Sequence, residues 1–416
     1  MSDNKAILVV GGGMSGITAA VEAAEVGYDV FLVEKNAYLG GRVAQNNQYF
    51  PKLCPPGCGL EINFRRIKNN PRIKFFTLSE VEKISGEEGE YEVTIKIKPR
   101  YVKDNCTACG DCAQASSTEI PNEFNYRLDK IKGAYLPHEF AFPMQYVIAP
   151  EIIGTEDAQK CKAACKYNAV DLEMKEETFT LKVNSIIWAT GWKPFDPIKV
   201  EYYGFDKHKD VISNVIMERL ASPNGPTQGK IIRPSDGKGI ESIAFVQCAG
   251  SRDENYLPFC SAVCCLASLK QALYVREQYP EAKIYIFYID IRALGKFEDF
   301  YTKVTKDEKV SFIKGKVAEI IEDQGALKVT AEDQLSGKLF SEKVDLVVLA
   351  TGMVPSTADA KVPANILYDE NGFIFSNGKN LGIYGAGCVK KPMDVASAVQ
   401  DATAAALKAI QSTVRR

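Results

Sequence analysis

Short apolar runs, helix-period segments and strictly alternating segments follow one another along the chain. Ala6–Val10 is an unbroken apolar run, the pattern of a parallel strand buried on both faces. Residues 17–26 read as a helix ended by Gly27, and Asp29–Val33 as a second buried strand. Residues 80–98 alternate, most cleanly in Tyr91-Glu-Val-Thr-Ile-Lys-Ile-Lys98, which predicts strands of a small sheet. Residues 185–188 and 344–349 are further strand-like runs. From residue 242, a strand (242–247), a helix (263–277) and a strand (283–290) predict a second βαβ unit. A long Ala-rich helix follows Cys388. This order predicts an α/β architecture with parallel sheets.

The first βαβ unit carries chemistry. Its strand runs into Gly11-x-Gly13-x-x-Gly16, and its second strand ends at Glu34. The first glycine makes the tight turn, the second lets backbone approach a pyrophosphate, and the third lets helix and strand pack closely. The helix amino terminus faces the negative charge, and the acid stands where it can accept a ribose hydroxyl. Ser15 in the turn and Lys35 beside the acid are counted with this site. NAD and FAD share the motif. Gly40-Gly41-Arg42 shifts the reading to FAD, as does Ala189-Thr190-Gly191, with a second such triplet at Ala350-Thr351-Gly352. Near the end, Ile383-Tyr-Gly-Ala-Gly-Cys388 resembles the last flavin segment of the thioredoxin- and glutathione-reductase group. Cys388 stands where that segment usually has an aspartate after Gly387, so the usual contact to the ribityl chain has no counterpart at that position. The fold expected is a two-dinucleotide-binding-domain flavoprotein with a ferredoxin-like insert.

Composition narrows the class. The chain has 416 residues, 46% hydrophobic and 25% charged, with 51 basic against 53 acidic side chains. That is an ordinary globular balance, with no basic block for nucleic acid. The start, Met1-Ser-Asp-Asn-Lys5, lacks the pattern of a signal peptide, and no apolar run is long enough to span a bilayer. A cytoplasmic protein is expected, reaching a membrane only through partners.

Twelve cysteines in such a chain point to metal or redox use. With only two histidines, sites built on imidazole are disfavoured. Cys106-Thr-Ala-Cys109-Gly-Asp-Cys112 opens a bacterial ferredoxin motif, whose thiolates wrap three corners of a [4Fe–4S] cube. The fourth cysteine of that run would ligate a second cluster, and its position is Ser116. A second run keeps Cys161 and Cys165 but has Thr155 and Ala158 in its first two ligand slots. One full ligand set therefore remains: Cys106, Cys109, Cys112 and Cys165. Four cysteines also suit zinc, but the triple C-x2-C-x2-C favours Fe–S. In the second βαβ unit the glycine turn is replaced by Cys248, Cys260, Cys264 and Cys265, the last two at the helix start. These predict a second, atypical cluster; the alternative is a cysteine-rich turn with a disulfide.

Two stretches stay open at this point. Leu53-Cys-Pro-Pro-Gly-Cys58-Gly59 reads either as a thiol pair or partial ligand set near the flavin, or as a tight turn with two buried thiols. The aromatic segment 122–150 reads as a loop closed over its own module's core, the sharper alternative being a partner-docking face. The expected domains are a flavin domain in three pieces (1–98, 173–237 with the crossing, 344–416), a ferredoxin-like insert (99–172) and a nicotinamide-domain-like module with the atypical site (238–343).

These motifs together resemble the A subunits of heterodisulfide reductases. The resemblance is carried by Gly40-Gly-Arg-Val-Ala-Gln45, Phe50-Pro-Lys-Leu-Cys-Pro-Pro-Gly-Cys58, Val246-Gln-Cys-Ala-Gly-Ser-Arg-Asp253 and Phe259-Cys-Ser-Ala-Val-Cys-Cys265. It is similar above all to the branch found in the quinone-interacting membrane-bound oxidoreductase complexes of sulfate-reducing prokaryotes. The resemblance implies FAD, two [4Fe–4S] clusters, a membrane subunit handling menaquinol and a related flavin/Fe–S partner subunit. It further implies electron delivery towards adenylylsulfate reductase, with flavin-based bifurcation or confurcation as a further implication. No further ferredoxin module is expected after the last flavin segment. The alternative function is an NAD(P)H-dependent disulfide or polysulfide reductase using Cys54/Cys58 or Cys264/Cys265; a third is a non-catalytic scaffold. No side chain is assigned a catalytic role beyond holding FAD.

Overall fold

The computed structural model describes residues 5–375 and 382–414. The start of the chain (1–4), part of the segment read for a targeting signal, lies outside them. The protein divides into two compact units. The first comprises 1–192, 355–391 and 395–416; the second comprises 193–354 and 392–394. The chain thus leaves the first unit at 192, and the segment 193–237, expected as the crossing, belongs to the second unit. The reason is that Val211–Ser213 hydrogen-bonds as an edge strand of the second unit's sheet.

The first unit is built on a five-stranded parallel sheet in the order 383–385, 185–188, 6–10, 29–33, 73–76. Every side chain of Ala6–Val10 is buried, which explains its unbroken apolar run. The helix Met14–Glu25 and the Ala-rich helix Val395–Val414 share a core with this sheet through Ile17, Val21, Ala402 and Ala406. Small residues let those two helices approach the sheet closely. A three-stranded antiparallel sheet, 177–183 beside 90–97 beside 79–87, stands next to it. Ile97 lies opposite Glu177, so the ferredoxin-like insert leaves and re-enters at the ends of two paired strands.

The second unit repeats the plan. Its parallel sheet has the order 211–213, 346–351, 242–249, 283–288, 310–314, with an antiparallel sheet 317–323, 326–333, 338–344. In each parallel sheet the strand order reverses at the first βαβ strand, Ala6–Val10 in one and Ser242–Ala249 in the other. The crevice past the carboxyl end of that strand is where α/β sheets hold ligands.

Candidate flavin and iron–sulfur sites

At the first unit's switch point the glycine turn is closed by sterics. A Cβ on Gly11 would stand 2.4 Å from the Ala189 carbonyl oxygen, and one on Gly16 would stand 1.7 Å from the Gly11 oxygen. Gly13 differs. A Cβ there would meet nothing nearer than Gly41 Cα at 3.9 Å, so this glycine faces open space. Gly41 is pressed against Gly13, its own Cβ position lying 2.8 Å from Gly13 Cα. The buried Glu34 accepts from the Gly12 N–H at 2.6 Å and the Asn36 N–H at 2.7 Å. Burial raises its carboxyl pKa, which those two N–H donors oppose. Gly387 approaches from the far end of the chain, with Ser15 Oγ 2.1 Å from where its Cβ would be. Arg42 donates to the Trp192 carbonyl at 2.7 Å and stacks on that indole at 4.7 Å. Thr190 Oγ1 bonds Ser356 Oγ at 2.6 Å, and Gly191 takes φ 70°. The fold thus gathers Gly11, Gly13, Ser15, Gly16, Glu34, Gly41, Ala189 and Gly387 around one turn. Lys35 is the exception: it is exposed and its ammonium pairs with Glu80 at 3.6 Å.

Sequence reasoning found no acid beside Cys388. The fold brings one from 13 residues on: Asp401 of the last helix accepts from the Gly387 N–H at 2.8 Å and from Lys390 Nζ at 2.5 Å. An acid nearly two turns inside a helix that follows a glycine turn is the sequence signal that could have found it. The residues fit a dinucleotide: a bare glycine face, helix N–H groups and a carboxylate stand together. Bound there, FAD would supply exchange between two-electron and one-electron chemistry.

In the insert, Cys106, Cys109, Cys112 and Cys165 line a single cavity with Tyr146 and Tyr167. Left-handed backbone at Ala108 and Gly110 wraps the first three around it. Backbone N–H groups of Ala108 and Ala169 point at Cys106 Sγ (3.5 Å) and Cys165 Sγ (3.2 Å). Burial pushes the Cys112 thiol up to about 12, with Cys161, Cys106 and Cys165 nearby adding to it. A cation at the cavity is what would hold such thiols as thiolates.

The positions of the second run are taken up by packing. Thr155 is the N-cap of helix Glu156–Ala164, Ala158 is wholly buried, and Cys161 lies in the module core. Asp157 binds the Ser116 and Ser117 hydroxyls and the Ser117 and Thr118 N–H groups.

The aromatic segment covers its own module's core, where Ala134 and Ile148 are buried and Tyr146 packs, and it also closes onto the flavin domain. His138 packs against Tyr38, and Phe142 stacks on Phe64 at 4.9 Å. The Leu39 N–H donates to the Phe142 carbonyl, and Tyr126 hydroxyl accepts from Arg42. The buried Arg100 guanidinium donates to the Ala37 carbonyl at 2.6 Å. Cys54 follows a turn at 51–53 and bridges Tyr49, and a 14-residue helix, Pro56–Asn69, with Pro at its first position, begins two residues later and carries Cys58. Cys58 is exposed and Cys54 half-buried, so they are not a buried pair. Both stand near the Tyr49 hydroxyl, whose pKa burial and these two thiols raise.

In the second unit the switch point is lined by sulfur. Cys248, at φ 57°, ends the first strand, and Cys264 and Cys265 open the helix Cys264–Gln278. Cys260 lies between, with the Ala262 N–H 3.4 Å from its Sγ. Burial pushes Cys248 up to about 11 and Cys264 well above the ordinary thiol value, and the neighbouring cysteines add to both. The second Ala-Thr-Gly triplet supports them. Cys264 Sγ lies 3.6 Å from the Thr351 carbonyl, and Thr351 Oγ1 donates to Asn214 at 2.9 Å. A Cβ on Gly352 would strike Ser251 Oγ at 2.1 Å. Asp290, Arg252 and Arg292, which sequence reasoning did not select, surround the quartet.

The fold and the glycine site define a FAD-dependent oxidoreductase fold. The FAD dependent oxidoreductase family matches residues 6–50. Thioredoxin reductase of Lactococcus lactis overlays with a TM-score of 0.55 at 16% identity, over 99% of this chain and 100% of that one. The bacillithiol disulfide reductase of Bacillus cereus gives 0.55 at 12% identity, over 99% of each chain. The homologues in sequence are heterodisulfide reductase A subunits. The chain is 40% identical, over 97% of its length, to an iron-sulfur A subunit of CoB–CoM heterodisulfide reductase from Methanopyrus kandleri, covering 63% of that protein. It is 37% identical to the A subunit of the ferredoxin/F420H2-dependent CoB–CoM heterodisulfide reductase of Methanosarcina acetivorans, over 97% of this chain and 53% of that one. The chain therefore spans less than two thirds of these relatives. No helix among the described residues is long and apolar enough to cross a membrane.

Proposed function

We propose that this chain is an electron-transfer flavoprotein of the heterodisulfide reductase A type, holding FAD at the glycine turn and one [4Fe–4S] cluster at each cysteine quartet. The observation that carries this is the replacement of the second unit's glycine turn by four cysteines. A nicotinamide entry route is thereby exchanged for a site of single-electron traffic. Asp290, placed where a dinucleotide fold offers its ribose-binding acid, is committed to Arg252 and Arg292 instead. That argues against the NAD(P)H-dependent disulfide reductase reading. Zinc is disfavoured because the triple C-x2-C-x2-C spacing of Cys106, Cys109 and Cys112 is that of a cube's ligand run.

FAD at the glycine turn would be loaded and emptied through the two clusters, with bifurcation or confurcation as the finer version. The motifs shared with quinone-interacting complexes extend the proposal. The chain then works with a menaquinol-handling membrane subunit and a related flavin/Fe–S subunit, at the inner face of the cytoplasmic membrane. Adenylylsulfate reductase is the acceptor. Anaerobic flavin, iron and acid-labile sulfide analysis with EPR tests the core reading. One FAD and about eight irons per chain are expected; flavin without iron overturns it. Reduction by menaquinol in the isolated complex, and electron arrival at adenylylsulfate reductase, test the extension.

A further inference from the structure

We infer that Arg252 and Arg292, gathered by Asp290, raise the reduction potential of the second unit's cluster and make it the more readily reduced of the two. The inference rests on the proposal that Cys248, Cys260, Cys264 and Cys265 hold a cluster.

Asp290 lies just past the strand Lys283–Tyr288. Arg252 pairs with its carboxylate, and Arg292 Nε lies 3.5 Å from the same oxygen. The Asp290 carbonyl stands 3.8 Å from Cys265 Sγ. From this anchor the Arg252 guanidinium stands near enough to Cys248, and that of Arg292 to Cys260, for its charge to favour the thiolate. The Arg292 backbone acts the same way on Cys265. One carboxylate, two guanidiniums and three of the four sulfurs form a single constellation.

The charges decide its effect. Two guanidiniums against one carboxylate leave one net positive charge at the sulfurs. The next acid, Asp253, is matched by Lys316. A cluster gains negative charge on reduction, so positive neighbours and N–H···S bonds favour the reduced form. Arginine does not titrate, so this bias holds at every physiological pH. The first unit's quartet has no such excess. Lys166 is paired with Asp111 at 3.0 Å, and Arg100 near Cys106 is faced by Asp104. Its sulfurs receive backbone N–H groups and tyrosine rings instead.

The test is an anaerobic redox titration of the full-length, cluster-loaded protein, followed by EPR. A Cys109→Ser variant, lacking the first unit's cluster, assigns the signals. In the wild type the second unit's signal is expected first. Arg252→Gln and Arg292→Gln should each lower its reduced-to-oxidised ratio at fixed potential about tenfold, a shift of about 59 mV for one electron. Lys309→Gln, which breaks a pair with Glu281 at the opposite, amino-terminal end of the sheet, should leave it in place. If the Gln variants lose iron, Asp290→Asn is read instead. It keeps an acceptor oxygen for the arginines but removes the opposing charge, so the ratio should rise. An unmoved midpoint in iron-replete Gln variants, or an unmoved or lowered one in Asp290→Asn, overturns the inference. Absence of a second EPR signal in the wild type overturns the cluster reading itself, a distinct outcome.

Discussion

The Ser116 hydroxyl donates to Asp157 Oδ2 at 2.7 Å in the buried interior of the insert. Burial opposes ionisation of Asp157. Two backbone N–H groups and two hydroxyls outweigh it and hold its carboxyl well below the ordinary range. A depressed folded pKa adds stability above the unfolded value of about 3.9, and that stability is lost as pH falls towards the folded value. Asp157→Asn leaves N–H donors facing an amide. It should cost about 2–3 kcal/mol at neutral pH and flatten the acid limb of the stability curve below about pH 4. Urea unfolding from pH 3 to 7 reads both. An unchanged acid limb would show that Asp157 is not the group responsible.

Gly13 and Gly16 should fail in different ways. Gly16→Ala drives a methyl into the Gly11 carbonyl and should destabilise the fold by on the order of 3 kcal/mol. Gly13→Ala meets no protein atom closer than 3.9 Å, so stability should stay within about 1 kcal/mol of wild type. It fills the face left open for a pyrophosphate, and flavin affinity should fall at least about tenfold. Thermal melts paired with flavin absorbance separate the two. Normal flavin content in folded Gly13→Ala would move the cofactor elsewhere.

Cys165→Ser should remove about half of the iron and leave flavin in place. Its Sγ belongs to a cavity lined by its own module, so iron at Cys248, Cys260, Cys264 and Cys265 should persist. Loss of all iron would contradict two independent sites.

NADH or NADPH should not bleach the flavin under anaerobic conditions, even at millimolar concentration. Rapid bleaching by either would restore the disulfide-reductase reading, despite the arginines that engage Asp290.

Much of this was readable from local chemistry. The glycine turn, its flanking strands and Glu34 lie within one short βαβ unit, where turn sterics dictate residue type. The cysteine run 106–112 was legible as a group from its spacing, and the fold brings it together with Cys165 at one cavity. Other features depended on contacts across long sequence separations. Arg252 and Asp290 are 38 residues apart and meet only because strands 242–249 and 283–288 pair in register. Asp401 meets Gly387 only because the last helix folds back beside the turn. The helix Pro56–Asn69 was hidden by Pro-Pro-Gly, which reads as a turn although proline is favoured at a helix's first position. Lys35 was placed by adjacency to Glu34, yet successive residues leaving a strand face opposite ways. The aromatic segment was read as a loop over its own module's core, which Ala134 and Ile148 fit, but its contacts with Tyr38, Phe64 and Phe75 are invisible without the fold.

The pairing of Ile97 with Glu177 makes the cluster module a graft on the tip of a hairpin. Its two ends lie side by side, so a short turn could join residue 97 to residue 177 and leave the sheet register intact. Such a shortened protein would keep the glycine-turn crevice while losing the cavity of Cys106, Cys109, Cys112 and Cys165, and would uncover Tyr38, Phe64 and Phe75. Modularity thus comes with a dependency. The graft is detachable by topology, but the flavin domain has surrendered part of its own outer surface to it.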